Sequence, residues 1–322
     1  MGKVVDRLDL ILKHIDKSNT GIEIGPSYRP ICPKRDGWRV HTVDHATRDE
    51  LRDKYKELSE TEPLLYANIE EVDFIWKGGS LADLLKSNGV DKVDFIVASH
   101  MIEHTPCLLS FLHWLEELVA KNGVVSLAIP DKRREYDFLK PLSTTADVLD
   151  VYRHKMSRHS IRTACLAYFY ECRYLMSPIW HKPIHVHDIS FARPFEEARK
   201  LLDEYNSSET SPYTDFHAWA FTPSSFELML MELNYLGYTK LAVLDIFDTL
   251  NYEFFVTLKP GISMQKRWKP EYLDRRRTDL IRRIHAELGE HGKRKREPRT
   301  IRTAVRKVWG FLDSLRGRPK WI

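Results

Sequence analysis

Three groups of residues in this chain have types and spacings that can do chemistry. The first is Glu23-x-Gly25 followed, one strand later, by Asp44. A glycine lets the backbone approach a ligand closely, and an acid ending the next strand can accept both hydroxyl protons of a ribose. Pro26 and Ser27 follow Gly25, so the glycine-rich run that clears room for a pyrophosphate is missing, and the pattern suits a nucleoside without phosphates. The second is His100-x-x-Glu103-His104. On a helix these offsets share one face, where two imidazoles and a carboxylate can hold a divalent ion. The same residues can instead brace the loop after a strand; that reading is preferred, and no metal ligand is assigned. The third group is the set of histidines able to take a proton from a hydroxyl near neutral pH. His100, His104, His185, His187 and His217 qualify; His217, just ahead of Thr222-Pro223, ranks first as base and His104 second.

Two other stretches carry polar density. Trp180 to Asp188 holds His181, His185 and His187 in an irregular segment, which reads as a hydrogen-bonded loop. Lys132-Arg133-Arg134-Glu135-Tyr136-Asp137 follows a strand directly at the cleft mouth, where its Lys and Arg would either hold an anionic group or form local ion pairs on a solvated loop.

The elements that must position these groups alternate in type. Leu8 to Ile15 has helical spacing; Gly21 to Gly25, Arg39 to Asp44 and Asp94 to Ser99 read as strands. Asp49 to Leu58 and Leu108 to Ala120 read as helices, and Val124 to Ile129 as a further strand closed by Pro130. Such alternation implies crossover connections and a parallel sheet with helices on both faces, whose ligands bind beyond the carboxyl ends of the strands. Residues 132–214 lack strand signals and read as a mostly helical insertion overhanging that edge as a lid. Thr222-Pro223 caps a helix running to Leu236, and Lys240 to Phe247 with Tyr252 to Leu258 form a close antiparallel pair ending the sheet. The domain therefore spans residues 1–260.

Beyond it, composition changes. Residues 1–260 hold 31 Lys and Arg against 39 Asp and Glu, a balance of −8, while residues 261–322 hold 19 against 7, a balance of +12; together they give the net +4. This basic extension reads as two amphipathic helices, Glu271 to Leu288 and Ile301 to Leu315, joined by a linker over Lys293 to Arg299. Its readings are an anionic membrane surface, a docked protein partner, a nucleic acid, or a hairpin folded on the body. Across the 322 residues, 43% apolar and 11% aromatic side chains suffice for a sizeable core and exclude fibrous or wholly disordered chains. No apolar run approaches a membrane span, and Asp6 and Asp9 argue against a signal peptide. Asp6 also stands where a myristoylation signal calls for Ser or Thr. Cys32, Cys107, Cys165 and Cys172 show no C-x-x-C spacing and read as reduced thiols of a cytoplasmic protein.

In combination the motifs resemble a known family. Glu23-Ile24-Gly25-Pro26, Val43-Asp44-His45, Val72-Asp73-Phe74, the run from Asp94 to His104, and Gly123-Val124-Val125 follow the order found in class I S-adenosyl-L-methionine (SAM)-dependent methyltransferases. The chain is similar to a type 11-like branch whose fourth motif reads ASHxIEH and continues into Ile129-Pro130-Asp131-Lys132-Arg133; Asp215 to Pro223 matches as well. The resemblance covers about residues 18–260 and implies a Rossmann-like α/β sheet with SAM as cofactor. It would place Glu23 near the methionine amino group, with Gly25, Pro26 and Ser27 forming the first loop. Asp44 would hold the ribose, Asp73 and Phe74 the adenine, and Ser99 and His100 would line the sulfonium end. Members of this branch accompany glycosyltransferases in bacterial surface-polysaccharide pathways. The resemblance thus implies O-methylation of a sugar hydroxyl on a glycan, lipid-linked glycan or nucleotide sugar. The 261–322 extension lies outside the resemblance; its charge and apolar stripe are read as a contact with a partner, for instance a glycosyltransferase, or with the inner membrane face. Two rivals stand beside it. One is an RNA O-methyltransferase with a divalent ion at His100, Glu103 and His104, similar to small-RNA enzymes with an E-x-x-E-H cluster but opposed by the acidic body. The other is a non-catalytic scaffold with this fold.

Overall fold

The computed structural model describes residues 6–205 and 213–289. In chain order they form α1 (Arg7–Ile11), β1 (Thr20–Ile24), β2 (Arg39–Asp44), α2 (Arg48–Lys54), α3 (Leu58–Thr61), α4 (Pro63–Ala67), β3 (Phe74–Ile75), α5 (Leu81–Ser87), β4 (Val93–Ser99), α6 (Leu108–Leu118) and β5 (Val119–Pro130). There follow α7 (Thr145–Arg153), α8 (Ile161–Tyr170), β6 (Cys172–Tyr174), β7 (Ile189–Phe191), α9 (Phe195–Glu204), α10 (Pro223–Tyr235), β8 (Ala242–Leu250), β9 (Glu253–Lys259), α11 (Met264–Arg267) and α12 (Pro270–Leu288).

Seven strands make one sheet in the order β3-β2-β1-β4-β5-β9-β8. The first five run parallel, and β9 lies antiparallel between β5 and β8. The strand order reverses between β1 and β4, so the cleft of the sheet opens beyond their carboxyl ends. Both faces are buried, as near-continuous apolar runs in central parallel strands require. On one face Ile22, Ile24, Ile96, Ala98, Val125 and Leu127 pack under α5, α6 and α10; on the other Phe95, Val97, Ala128 and Phe255 pack with Ile11, Ile31 and Cys32. Helix α6 shows why the sequence dictates this: Leu108, Leu109, Phe111, Leu112, Leu115 and Leu118 are all buried, each worth about 1.5–3 kcal/mol of apolar burial. Gly21 is needed because Phe95 crosses it; a Cβ there would fall 2.1 Å from the ring.

The strand and helix expectations hold with small shifts. Helix α6 stops at Leu118 because Val119 turns extended to pair with Val93, so β5 starts earlier than Val124. Thr222 caps α10 through a reciprocal pair with Ser225, with Pro223 at the first position. The 132–214 segment departs from its expectation. Besides α7, α8 and α9 it contains a ribbon of β6 and β7, whose three residues each are too short for an alternating pattern to be read.

The start of the basic extension folds back on the body. Leu273 and Leu280 of α12 are buried, Arg276 pairs with Glu227, Arg277 sits 3.1 Å from Glu232, and Ser224 Oγ donates to Glu287 Oε1 at 2.6 Å. The expected linker and second helix, Ile301 to Leu315, lie outside the described residues. Among the described residues no helix is long and apolar enough to cross a membrane.

Candidate active site

At the carboxyl end of β1 the chain makes a tight turn that only glycine takes without strain. Gly25 has φ +71°, and its N–H donates to Val43 O at 2.8 Å. Pro26 is buried behind it, and Ser27, at φ +47°, presents its N–H to Asp44 Oδ2 at 2.9 Å. The other Asp44 oxygen accepts from His45 N at 2.7 Å. Asp44 is thus a buried acid at the tip of β2, while the Ser27 hydroxyl beside it is buried without a hydrogen-bond partner.

Glu23 lies deeper. Its two oxygens accept from Ile31 N at 2.6 Å and Cys32 N at 2.9 Å, and burial pushes its pKa up to about 7 against those bonds. Its carboxylate is therefore engaged in fixing the returning loop, rather than facing outward toward an amino group. Asp73 and Phe74 also sit elsewhere than the motif order implies. The β2–β3 register sets Asp44 opposite Ile75, which leaves Asp73 level with Thr42, two residues back from the strand tip. There Asp73 accepts from Thr42 N at 2.8 Å and Lys34 Nζ at 2.6 Å, and the Phe74 ring lies 5.8 Å from His41. The aromatic residue at the open end is Trp76, whose N–H donates to Asp44 O at 2.8 Å and whose indole stacks on Phe111.

The tip of β4 is held by groups from both ends of the domain. Ser99 Oγ accepts from Arg7 Nη2 at 2.6 Å, and Arg7 Nε meets Glu253 Oε1 at 2.6 Å. His100, in the left-handed region at φ +50°, faces Glu253 at 3.0 Å and Glu103 at 3.5 Å. Burial pulls the His100 pKa down, but these carboxylates outweigh it and hold the imidazole at about 9. The His100-x-x-Glu103-His104 run is a short 3-10 turn over Ile102–His104 instead of a longer helix, with His100 ahead of it, yet both histidines reach Glu103, His100 Nδ1 at 3.5 Å and His104 Nε2 at 3.8 Å.

Beyond this turn lies a buried imidazole–carboxylate cluster. The returning chain before α10 is pinned over the β4 tip by Ala218 N donating to Glu103 O at 2.7 Å and Trp219 Nε1 donating to Thr105 O at 2.7 Å. That pinning sets the His217 ring 4.6 Å from the His104 ring, edge to face. His217 Nδ1 lies 2.8 Å from Asp137 Oδ2, and Nε2 lies 2.5 Å from the Tyr136 hydroxyl. Lys140 closes on Asp137 at 2.5 Å, and Glu135 stands 3.6 Å from His217. Burial lowers the His217 pKa, yet Asp137 and Glu135 outweigh it and raise it well above the ordinary value. With Nδ1 on Asp137 and Nε2 on the Tyr136 hydroxyl, both ring nitrogens of His217 are engaged, which leaves it less well set to be the base than His104. His104 is better set: Nδ1 lies 2.9 Å from Asp215 Oδ1, which turns Nε2 toward Glu103. Glu103 is buried, with neither oxygen in a hydrogen bond.

The other expectations fall outside the cluster. His187 is exposed and His185 half-buried in the lid, and the His181 ring lies 5.9 Å from Tyr252. Lys132, Arg133 and Arg134 are buried instead of solvated: Arg133 grips Asp131 at 2.6 Å and Lys132 Nζ donates to Phe138 O at 2.7 Å.

The family comparison agrees with the sheet order. Residues 2–174, more than half of the chain, match a family model described as a methyltransferase domain. The chain belongs to this family. It is a SAM-dependent methyltransferase, with S-adenosyl-L-methionine as cofactor. A comparison with curated proteins gives no match. Among solved structures the methyltransferase is similar to the CcbJ methyltransferase from Streptomyces caelestis, at 13% identity over 78% of this chain and 87% of that one, TM-score 0.38. It is similar to the PH0226 protein from Pyrococcus horikoshii OT3 at 14% identity over 78% and 86%, TM-score 0.38, and to DhpI in complex with SAH at 12% over 75% and 76%, TM-score 0.34. The first loop fits the donor: Gly25 turns without a side chain at the tip of β1, Asp44 ends β2 as a buried acid, and the unpartnered Ser27 hydroxyl lies between them. Those residues would hold the ribose end, with Ser99 and His100 toward the reacting end.

Motif order missed Arg7, Trp76 and Glu253, and gave Tyr136, Asp137 and Asp215 no role of their own. Asp215 stood inside the matched run before Thr222-Pro223, and Tyr136 and Asp137 within the segment read at the cleft mouth.

Proposed function

We propose that this methyltransferase O-methylates a hydroxyl of a sugar-like acceptor that enters between the β4 tip and the 132–214 lid. The observation that carries the reading is the His104–Asp215 pair, an imidazole oriented by a carboxylate, set among buried acids beside the cofactor end of β4. Bound SAM supplies an electrophilic methyl group. What the protein must add is alignment and a way to remove the hydroxyl proton as the C–O bond forms and the C–S bond breaks. Residues of the cluster around His104 handle that proton; Tyr136, half-buried against His217, stands on the acceptor side, with Asp137 and Glu135 buried behind it. Arg7 and Glu253 brace the reacting end by fixing Ser99 and His100.

A glycan, lipid-linked glycan or nucleotide sugar is the acceptor class this reading favours, with a glycosyltransferase as the source of the acceptor. The basic extension beyond α12, rich in Lys and Arg, supports a contact with an anionic membrane surface at the cytoplasmic side. The test is incubation of labelled SAM with extracts of cells lacking the protein, followed by separation of glycan, lipid, RNA, protein and small-molecule fractions. Label in the glycan or glycolipid fraction, abolished by His104→Ala, supports the reading. Label in RNA replaces the acceptor class, and cofactor binding with no label in any fraction, partner extract included, favours a scaffold.

A further inference from the structure

The cluster around His104 has the construction of a metal site, and the residues that form it are not those the short motif suggests. Three observations carry this. Glu103 is 1% exposed, and neither of its oxygens is in a hydrogen bond; its nearest polar neighbours are His100 Nδ1 at 3.5 Å and His104 Nε2 at 3.8 Å. His100 divides its charge between Glu103 and Glu253, so this buried carboxylate can still take a second cation on its open side. Second, His104 and His217 each have Nδ1 on a carboxylate, Asp215 at 2.9 Å and Asp137 at 2.8 Å. A carboxylate on one ring nitrogen is what fixes the other as a metal ligand. Third, Glu103, His104 and His217 offer ligand atoms lying within 4.8 Å of one another. A tetrahedral ion with bonds of about 2.1 Å sets its ligands about 3.4 Å apart, so small rotamer adjustments close the site.

We propose that Glu103, His104 and His217 bind one divalent ion of the zinc class, with Asp215 and Asp137 orienting the two histidines. Two imidazoles and one carboxylate leave a coordination position open, the arrangement of catalytic zinc sites. His217 loses its proton as the ion binds, and the Tyr136 hydroxyl, which stands on Nε2 at 2.5 Å, gives way to it or joins the ion. His100 stays on Glu253 and outside the ligand set. That the ion binds does not depend on the acceptor proposed above; what it would do there, lowering the pKa of the acceptor hydroxyl in place of a free imidazole base, does rest on that reading.

The test uses the full chain, stripped with a chelator, in the absence of cofactor and acceptor. Zinc is titrated by calorimetry, and cobalt by its visible absorption, which is strong for a four-coordinate site. One ion per chain is expected, with affinity falling as pH drops because binding displaces a proton. Glu103→Gln, which keeps the shape of the side chain, and His104→Ala, at a partly exposed position, are each expected to weaken binding about 100-fold or more. The double variant His185→Ala/His187→Ala, which removes lid histidines, is expected to bind as the wild type does. Absence of a stoichiometric ion in the wild type overturns the proposal, as does unchanged affinity in a folded His104→Ala or Glu103→Gln variant, or loss of the ion in the lid double variant. Binding of SAH measured on the same samples reports separately on the cofactor reading.

Discussion

The two ends of the cleft are built on different principles. The cofactor end uses short, contiguous pieces: Gly25 to Ser27 turn on themselves, and Asp44 meets Ser27 N one strand away. Its bonds are mostly between a carboxylate and backbone amides. The proposed acceptor end gathers Glu103 and His104 after β4, Tyr136 and Asp137 after β5, and Asp215 and His217 before α10, segments up to 114 positions apart at the Trp219–Thr105 bond that pins them. Its bonds are between ionisable side chains, buried at His217–Asp137 and exposed at His104–Asp215, where each charge shifts its neighbours. One end is a backbone cradle that tolerates change outside a few positions; the other is a coupled network in which few members can be removed singly.

The sharpest way to break this contrast is His104→Ala. Turnover should fall about 10³-fold, the scale of a lost proton-handling group, while SAH affinity by calorimetry stays within a few-fold of wild type. A large loss of cofactor affinity would mean that the two ends are one unit. Next in size is Asp44→Ala, which removes a charged acceptor of hydrogen bonds; SAH affinity should fall roughly 10- to 100-fold, with the metal titration above unchanged. If affinity does not move, the nucleoside is held elsewhere.

The smallest effect is a pH slope at the junction of the two ends. His100 sits at about 9 in the folded chain against 6.5 as its ordinary value. Its pairing with Glu103 and Glu253 therefore stabilises the fold fully below about pH 6.5 and is lost as pH rises through about 9. The unfolding midpoint should decline over that interval, and Glu253→Gln should flatten the decline; an unchanged slope in that variant would assign it to other groups.

Legibility followed the same division. The strands β1, β2, β4 and β5, the capped α10 and the closing antiparallel pair could be read because apolar periodicity and caps are local properties. Asp73 was misplaced for a specific reason. Pairing of β2 with β3 is a contact between chains of sequence, and a shift of two residues in that register moves the acid from the strand tip to Thr42 and brings Trp76 forward instead. Glu23 was read as an acid near the methionine amino group; which backbone amides it meets instead depended on how residues 26–33 return over β1. The choice of His217 as base rested on an ordinary imidazole; Asp137 and Glu135, more than seventy positions away, engage its Nδ1 and raise its pKa.

The sequence by itself determined the doubly covered sheet, the glycine turn, the acid at the end of β2 and the polar residues available at the tip of β4, because backbone conformation and apolar spacing act over a few residues. Only the tertiary structure decided which of fourteen histidines meet which carboxylates. Protonation state and ligand geometry depend on distances between side chains far apart in sequence, and those distances exist only after the chain before α10 has been laid across the open end of β4.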